Sequence, residues 1–425
     1  MITDFTNPER KKWSEITKRP ELDFKKIKPL VKKIFKDVTK NGDKSLYKYT
    51  KEFDKIDIKS IKTKRKDLLN SENKVSKKLK LAIKSAKKNI EKFHEAQKVV
   101  FKKIETDEGV ECWQEKKAIE RVGLYIPGGT APLFSTILML AIPAKIAGCK
   151  EIIICTPPDK NGYIPNEILF TAKLCGVSKI YCIGGAQAIA AMTFGTESIP
   201  KVYKIFGPGN QYVTMAKQYS LNFNVSIDMP AGPSELLVVG DSSSNASFIA
   251  SDLLSQAEHG IDSQVILVST SKDLIKSVKN EILIQVKLLT RKNIIEKSLK
   301  NAKFIYFKSK KDASDFINEY APEHYIISIE NEDYFTSNII NAGSVFIGKY
   351  SPESAGDYAS GTNHTLPTNG YSKQYSGVNV DSFTKTITFQ KISKSGLSNL
   401  SETIQLMAQA ENLEGHKKAV SIRFK

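Results

Sequence analysis

The spacing of apolar and polar residues divides the chain into stretches of different texture. Across residues 24–103, apolar side chains such as Leu30, Val31, Ile34 and Phe35 recur at three- and four-residue steps between long lysine-rich faces. That is the period of amphipathic helices. From Arg121 onward the period changes to short apolar runs, glycine turns and helices in alternation. Strands are predicted at 151–155, 179–183, 235–239 and 264–268 and opening at Lys303, with helices at 132–147, 168–175, 186–194, 246–258, 272–289 and 313–320. Such alternation argues for parallel, helix-covered sheets. Because the series runs twice, it predicts two α/β units. The tail holds a strand-like run at 386–389 and a helical pattern from about residue 401 toward Gly415, a residue suited to a left-handed stop. The opening segment to about residue 22 is polar and too short for a core of its own, so it is expected to pack on something else.

Composition narrows the class of protein. A chain of 425 residues can bury a large core, and the formal charge of +18 comes mostly from lysine, with the excess heaviest before residue 120. Arginine occurs only at 10, 19, 65, 121, 291 and 423, and the lysines lie singly along amphipathic stretches rather than clustering with aromatic partners. This pattern favours solvated helix faces over a nucleic-acid surface. Cysteines 112, 149, 155, 175 and 182 are odd in number and lack C-x-x-C spacing, which reads as reduced thiols in a cytosolic core. The charged opening residues lack the apolar stretch of a signal peptide, so a cytoplasmic location is expected. The uncharged run 122–144 is broken by Gly128, Gly129 and prolines 127, 132 and 143, and is expected to be a buried loop and helix rather than a bilayer span.

The chemistry concentrates around the histidines. Of five in the chain, four sit in short polar clusters: Gln256-Ala-Glu-His259, Glu323-His324, Asp357 with His364 seven residues on, and Glu411 with His416 five residues on. Imidazole binds metals and titrates near neutrality, so these pairings gather ligands and bases in one chain. Gln256 and His259 are spaced to share the end of a helix and reach one metal, although such a pair taken alone is more often a hydrogen-bonded surface feature. Asp357 and His416 offer an oxygen and a second nitrogen that would complete a four-ligand set suited to zinc. Ala321-Pro322 is expected to end a helix and put Glu323 and His324 on a turn, where a solvated ion pair and a catalytic pair are equally good readings. Gly184-Gly-Ala-Gln187 and Gly207-Pro-Gly-Asn210 each lie between a strand and a helix, where backbone amides favour phosphates or where chains simply pack closely. Ser234, in Met229-Pro-Ala-Gly-Pro-Ser234, has small neighbours that leave room for a ligand.

Taken together, these motifs resemble those of histidinol dehydrogenases. The resemblance is carried by Arg121-Val-Gly-Leu-Tyr125-Ile-Pro-Gly-Gly, Gly184-Gly-Ala-Gln187, Lys204-Ile-Phe-Gly-Pro-Gly-Asn210, Asp228-Met-Pro-Ala-Gly-Pro-Ser234, Ser255-Gln-Ala-Glu-His259-Gly, Ala321-Pro-Glu-His324 and Gly361-Thr-Asn-His364-Thr-Leu-Pro, in order along nearly the whole chain. It implies oxidation of L-histidinol through bound L-histidinal to L-histidine, using two NAD molecules in turn and one zinc ion per subunit, at the end of histidine biosynthesis. It also implies zinc held by Gln256, His259, Asp357 and His416, and substrate contacts from these ligands and from Ser234, His324, His364 and Glu411. Nucleotide contacts would come from Tyr125, Gln187 and Asn210, and catalysis from Glu323 and His324. The implied fold is a pair of incomplete Rossmann-like parallel-sheet domains with helical N-terminal packing and a small C-terminal arm. Expected boundaries are an arm at 1–22, a first domain at 23–124 plus 234–378 bearing the metal and catalytic residues, a second at 125–233 on the NAD side, and an arm at 379–425. That arm is expected to be exchanged in a homodimer, so that Glu411 and His416 complete the neighbour's site. Neither nucleic acid nor membrane is an expected partner. Two other enzyme readings compete: a zinc hydrolase would use the same side chains without a nucleotide, and a related dehydrogenase would oxidise another small alcohol.

Overall fold

The computed structural model describes residues 2–20, 24–128 and 132–425; Gly129, part of one motif above, lies outside them. The fold is α/β, built on two parallel sheets. One has six strands in the order Thr3–Thr6, Lys303–Tyr306, Gln264–Ser269, Glu235–Gly240, His324–Ser328 and Ser344–Ile347. Its central strand, Glu235–Gly240, is buried throughout. Leu236 and Val238 face one apolar layer while Leu237 and Val239 face the other, the two-residue alternation of a strand covered on both sides. The second sheet has five strands in the order Lys179–Cys182, Glu151–Thr156, Arg121–Tyr125, Lys204–Phe206 and Ser226–Ile227.

The lysine-rich helices belong with the five-stranded sheet. Helix Phe24–Asn41 turns Ile27, Val31, Ile34, Phe35 and Val38 inward at helical spacing and packs on helices Gly185–Phe194 and Gln211–Ser220. Helix Lys77–Glu95 starts where Ser76 Oγ accepts the Leu79 amide, and it buries Ile83, Ala86, Ile90 and His94 against helix Ser135–Ala147. The apolar core therefore unites residues of 27–90 with the strands of 122–206. The sequence-based grouping of 23–124 with 234–378 separates what the core joins.

Several local expectations are revised. The helical pattern ends at Glu95, and an antiparallel sheet follows, in which Val110–Ala118 pairs with Ile104–Asp107 and with Thr384–Ile392 of the tail. Gly415 is not a helix stop. The tail instead breaks at Asn412, whose φ of 59° is left-handed, between helices Lys394–Ala410 and Glu414–Ser421. The opening segment does pack on something: Thr3–Thr6 joins the edge of the six-stranded sheet, and Trp13 and Ile16 enter its core. The uncharged run forms the buried helix Ser135–Ala147, and no described helix is long and apolar enough to cross a membrane.

A buried ion pair shapes the loop after Lys204–Phe206. Lys217 and Asp228 lie 4% and 1% exposed; Lys217 Nζ donates to Gly207 O at 2.7 Å, and Asp228 Oδ2 accepts the Gly207 amide at 2.7 Å. Gly207 needs this hold, because its φ is +120° and a Cβ there would lie 2.1 Å from Tyr125 O. Removing one partner of such a pair strands the other charge. Lys217→Met is expected to lower unfolding free energy by about 3–5 kcal/mol, read from urea denaturation. A change within about 0.5 kcal/mol would show that this pair does not organise the turn.

Candidate active site

Two regions gather candidate functional side chains, one on each parallel sheet. The first lies at the carboxyl ends of the five-stranded sheet, where the chain order reverses between Arg121–Tyr125 and Lys204–Phe206. Open α/β sheets bind ligands at this kind of switch point. A cavity of about 620 Å³ opens here, lined by Tyr125, Gly185, Gln187, Asn210 and Asp54 among others. The buried Tyr125 hydroxyl accepts the Gly185 amide at 3.1 Å, which fixes the phenol across the glycine turn. Asn210 caps helix Gln211–Ser220, its Oδ1 accepting the amides of Tyr212 and Val213 at 3.1 Å each. Gln187 is buried, and its Oε1 has no hydrogen-bond partner. The three residues expected at a nucleotide thus line one crevice.

The second region lies at the amino ends of the six-stranded sheet. Glu235 and His324 are the first residues of their strands, which are parallel neighbours. His324 Nδ1 donates to Glu235 O at 3.0 Å, and Glu323 Oε2 accepts the Glu235 amide at 2.8 Å. Glu323 and His324 are therefore buried at a strand start, not displayed on an open turn. Because Nδ1 carries the proton, Nε2 is a bare acceptor, and it has no hydrogen-bond partner among the described residues. It lies 3.7 Å from Asp357 Oδ1. Burial pushes the His324 pKa down to about 3, so the ring is neutral at physiological pH.

Around this imidazole the chain gathers acids. Helix Glu353–Tyr358 contributes Glu353 and Asp357 from one face, four residues apart. Ligand atoms of His259, Glu353 and Asp357 lie within 4.8 Å of one another. Burial, together with the neighbouring Asp357, Glu323 and Asp252, raises the Glu353 pKa well above the carboxylate range. Burial alone raises Asp357 and Asp252 to about 7 each, and it raises Glu323 well above its ordinary value. The ring of His259 reaches solvent at the mouth, yet the crowding around it and the charge of Arg291 lower its pKa. Gln256, in the last turn of helix Ala246–Ala257, is buried with neither side-chain Oε1 nor Nε2 partnered. Unpaired buried amides and crowded carboxylates are costly without a cation, and oxygens with imidazole suit a divalent metal. The donor set fits one.

His364 joins the two regions. Its Nδ1 donates to Asp357 O at 2.9 Å, and its Nε2 lies 3.3 Å from Thr136 Oγ1 on the helix that follows the nucleotide-side strand. Asn363 bonds to Met139 O of that helix at 2.6 Å. Burial lowers the His364 pKa to about 4, so it too is neutral. Ser234 immediately precedes the Glu235 strand and is half-buried. Glu411 and His416 are exposed on the C-terminal arm, outside the His259, Glu353 and Asp357 group. Sequence reasoning missed Glu353, Asp252 and Glu235; only the four-residue spacing of Glu353 and Asp357 could have pointed to the first.

An α/β fold with a switch-point crevice on one sheet and a buried imidazole among carboxyl groups on the other is that of an enzyme, and its class is oxidoreductase. The chain belongs to the histidinol dehydrogenase family, a family of oxidoreductases, whose model matches residues 17–424. It is 57% identical over 419 residues to the histidinol dehydrogenase of Bacteroides fragilis, covering 98% of this chain and 97% of that one. It is 49% identical over 427 residues to the Campylobacter jejuni enzyme, covering 100% and 99%. A crystal structure of histidinol dehydrogenase from Elizabethkingia anophelis superposes with a TM-score of 0.97 at 52% identity, covering 100% of this chain and 98% of that one.

The acids predict a pH dependence. A carboxylate raised to about 7 holds its proton more tightly folded than unfolded, where its pKa is about 4. Its contribution to stability is thus full at low pH and is lost as pH rises through about 7. Metal-free protein should show a falling Tm between about pH 5 and pH 8, and Asp357→Asn should flatten that fall. Saturating Zn²⁺ should also flatten it in the unsubstituted protein. An Asp357→Asn profile parallel to that of the unsubstituted protein would refute the cluster as its source.

Proposed function

We propose that the protein oxidises L-histidinol to L-histidine through bound L-histidinal, with NAD as acceptor and one Zn²⁺ per subunit, as the last step of histidine biosynthesis in the cytoplasm. The observation that carries this reading is the bare, buried Nε2 of His324 next to the acid cluster, whose Asp357 is tied through His364 to the helix that follows strand Arg121–Tyr125. When bound, NAD supplies the hydride acceptor and zinc a Lewis-acidic clamp for the substrate's amine and imidazole nitrogens. Gln256, His259 and Asp357 would hold that metal, with His416 as the fourth ligand. The chain's own groups handle protons and position. His324 Nε2 takes the alcohol proton as the carbinol C–H bond breaks and its hydride leaves for the nicotinamide, giving the aldehyde. Glu323 takes a proton from water as the water oxygen adds to the aldehyde carbon, while His324 returns its proton to the aldehyde oxygen, giving the hydrate. His324 then takes a hydrate O–H proton while the second hydride leaves for a second nicotinamide, giving the carboxylic acid, which ionises to the carboxylate. Ser234, His364 and Glu411 would orient the substrate, and Tyr125, Gln187 and Asn210 the nucleotide. Burial keeps the His324 ring neutral, the protonation state a proton acceptor requires. A cysteine intermediate at Cys149 is disfavoured, since burial lifts its thiol to about 11.

The arm supports a shared site. Its strand docks on its own chain, but its two helices pack mainly on each other and leave Leu406 60%, Met407 62% and Ile422 65% exposed. Glu411 and His416 sit on that exposed pair of helices. A homodimer in which each arm reaches the neighbour's cluster would bury these surfaces and complete both metal shells.

Two experiments test the proposal. Purified protein with histidinol and NAD should form two NADH per histidine, and Glu323→Gln should slow histidinal oxidation more than histidinol oxidation. Normal histidinal oxidation in that variant removes the water-activation role. For the arm, His416→Ala and His324→Ala chains, each inactive, should regain activity when unfolded and reassembled together. Inactive mixed dimers, verified by mass, would mean that each chain completes its own site.

A further inference from the structure

Glu235 holds both members of the Glu323–His324 pair through its backbone, and its side chain is in turn held by one residue from the N-terminal segment. Arg19 Nε donates to Glu235 Oε1 at 3.0 Å and its second nitrogen, Nη2, donates to Oε2 at 3.1 Å, a two-pronged contact with 10% and 0% of the side chains exposed. The same guanidinium lies 3.8 Å from the centre of the Tyr320 ring. It also donates to the carbonyl oxygens of Tyr320 and Ala321. Ala321 has a left-handed φ of 54° and is followed by Pro322, so this turn sets the path by which the chain enters Glu323 and His324. Glu235 Oε1 accepts a further bond from the Asn369 amide at 2.7 Å, and Ser372 Oγ donates to Ala321 O at 2.9 Å.

Arg19 therefore grips both backbone segments that aim the pair: the strand start whose amide and carbonyl bond to Glu323 and His324, and the strained turn just ahead of them. We propose that Arg19, acting through Glu235 and the Tyr320–Ala321 turn, is a positioning residue that sets the orientation of Glu323 and His324. The inference rests on reading that pair as the base and water-activating groups. A structural ion pair alone would stabilise the fold without touching the chemical step. Here, loosening the grip rotates the proton-accepting Nε2 and the Glu323 carboxyl away from the reacting atoms while leaving the metal cluster and the nucleotide crevice intact.

The test uses full-length, zinc-loaded protein carrying Arg19→Met, which keeps length but removes the fork, and Arg19→Lys, which keeps charge but not the two-pronged geometry. Misplacement of about 1 Å can cost about a hundredfold in rate. Arg19→Met should lose about ten- to a hundredfold in kcat, with KM for histidinol and NAD and zinc content near those of the unsubstituted enzyme. The deuterium isotope effect on histidinol oxidation should rise, because the transfer step becomes limiting. Arg19→Lys should lie between, and added guanidinium should restore part of the rate to Arg19→Ala. A normal kcat and isotope effect in Arg19→Met overturns the proposal, as does a kcat that falls only with the fraction of folded protein. If Arg19→Met does not fold, Arg19→Lys decides on the same readouts. Glu323→Gln and His324→Ala, measured alongside, separate the two failures: if they turn over normally the reading of the pair is wrong, and if they fail while the Arg19 variants do not, only this inference falls.

Discussion

Four carboxyl groups, those of Asp252, Glu323, Glu353 and Asp357, are held near one another away from water, and most of the site's architecture answers to that arrangement. Ionised and unpaired, each would cost several kcal/mol to bury. The protein relieves them only in part. Glu323 receives the Glu235 amide, whereas Glu353 Oε2 has no partner. The nearby imidazoles cannot serve as counter-charges, since burial keeps His324 and His364 neutral. Such a cluster either keeps its protons or acquires a cation, and the unpartnered amide of Gln256 has the same need for a ligand. Ionised, the cluster is locally destabilising, and a bound positive charge would relieve it.

The two regions stand at opposite ends of their respective strands. On the five-stranded sheet the crevice opens at the carboxyl ends of the strands, next to helix starts whose amides face an incoming anion. On the six-stranded sheet the acids and imidazoles stand at the amino ends, where helix Ala246–Ala257 terminates close to Gln256 and His259. The negative end of that helix favours a cation there, as the positive ends opposite favour phosphate. The loop bearing Asn363 and His364 fastens one region to the other through Met139 and Thr136. Relative placement of the two regions is thus fixed by hydrogen bonds between halves as well as by packing.

How far this was legible in the sequence depended on whether a feature is local. Fully buried strands such as Glu235–Gly240 and Gln264–Ser269 read as continuous apolar runs, so the parallel sheets could be foreseen. Edge strands could not. Thr3–Thr6 and Ser344–Ile347 border one neighbour only and need no apolar run, and the hairpin after residue 103 is largely exposed on its first strand. The Glu323–His324 pair was visible because its members adjoin. Glu353 was missed because an acid on a short helix looks like a solvated one until the fold buries it. The bond from Arg19 to Glu235 spans 216 positions, and no spacing rule reaches so far. Family motifs supplied the expected ligand set as a whole, yet they did not show that Glu353 shares the space of His259 and Asp357.

The ends of the chain carry more of the site than their size suggests. The first twenty residues could not fold alone, but they extend the six-stranded sheet by Thr3–Thr6, insert Trp13 edge-on against Phe307 and Phe316, and bring Arg19 against Glu235 at the start of the central strand. Lys303 Nζ donates to Ile16 O and Lys18 O, so the segment is also tied along its length. The order of the central strand and of the turn before Glu323 therefore depends on docking of a segment remote in sequence. One guanidinium thus ties the start of the central strand to the turn before Glu323.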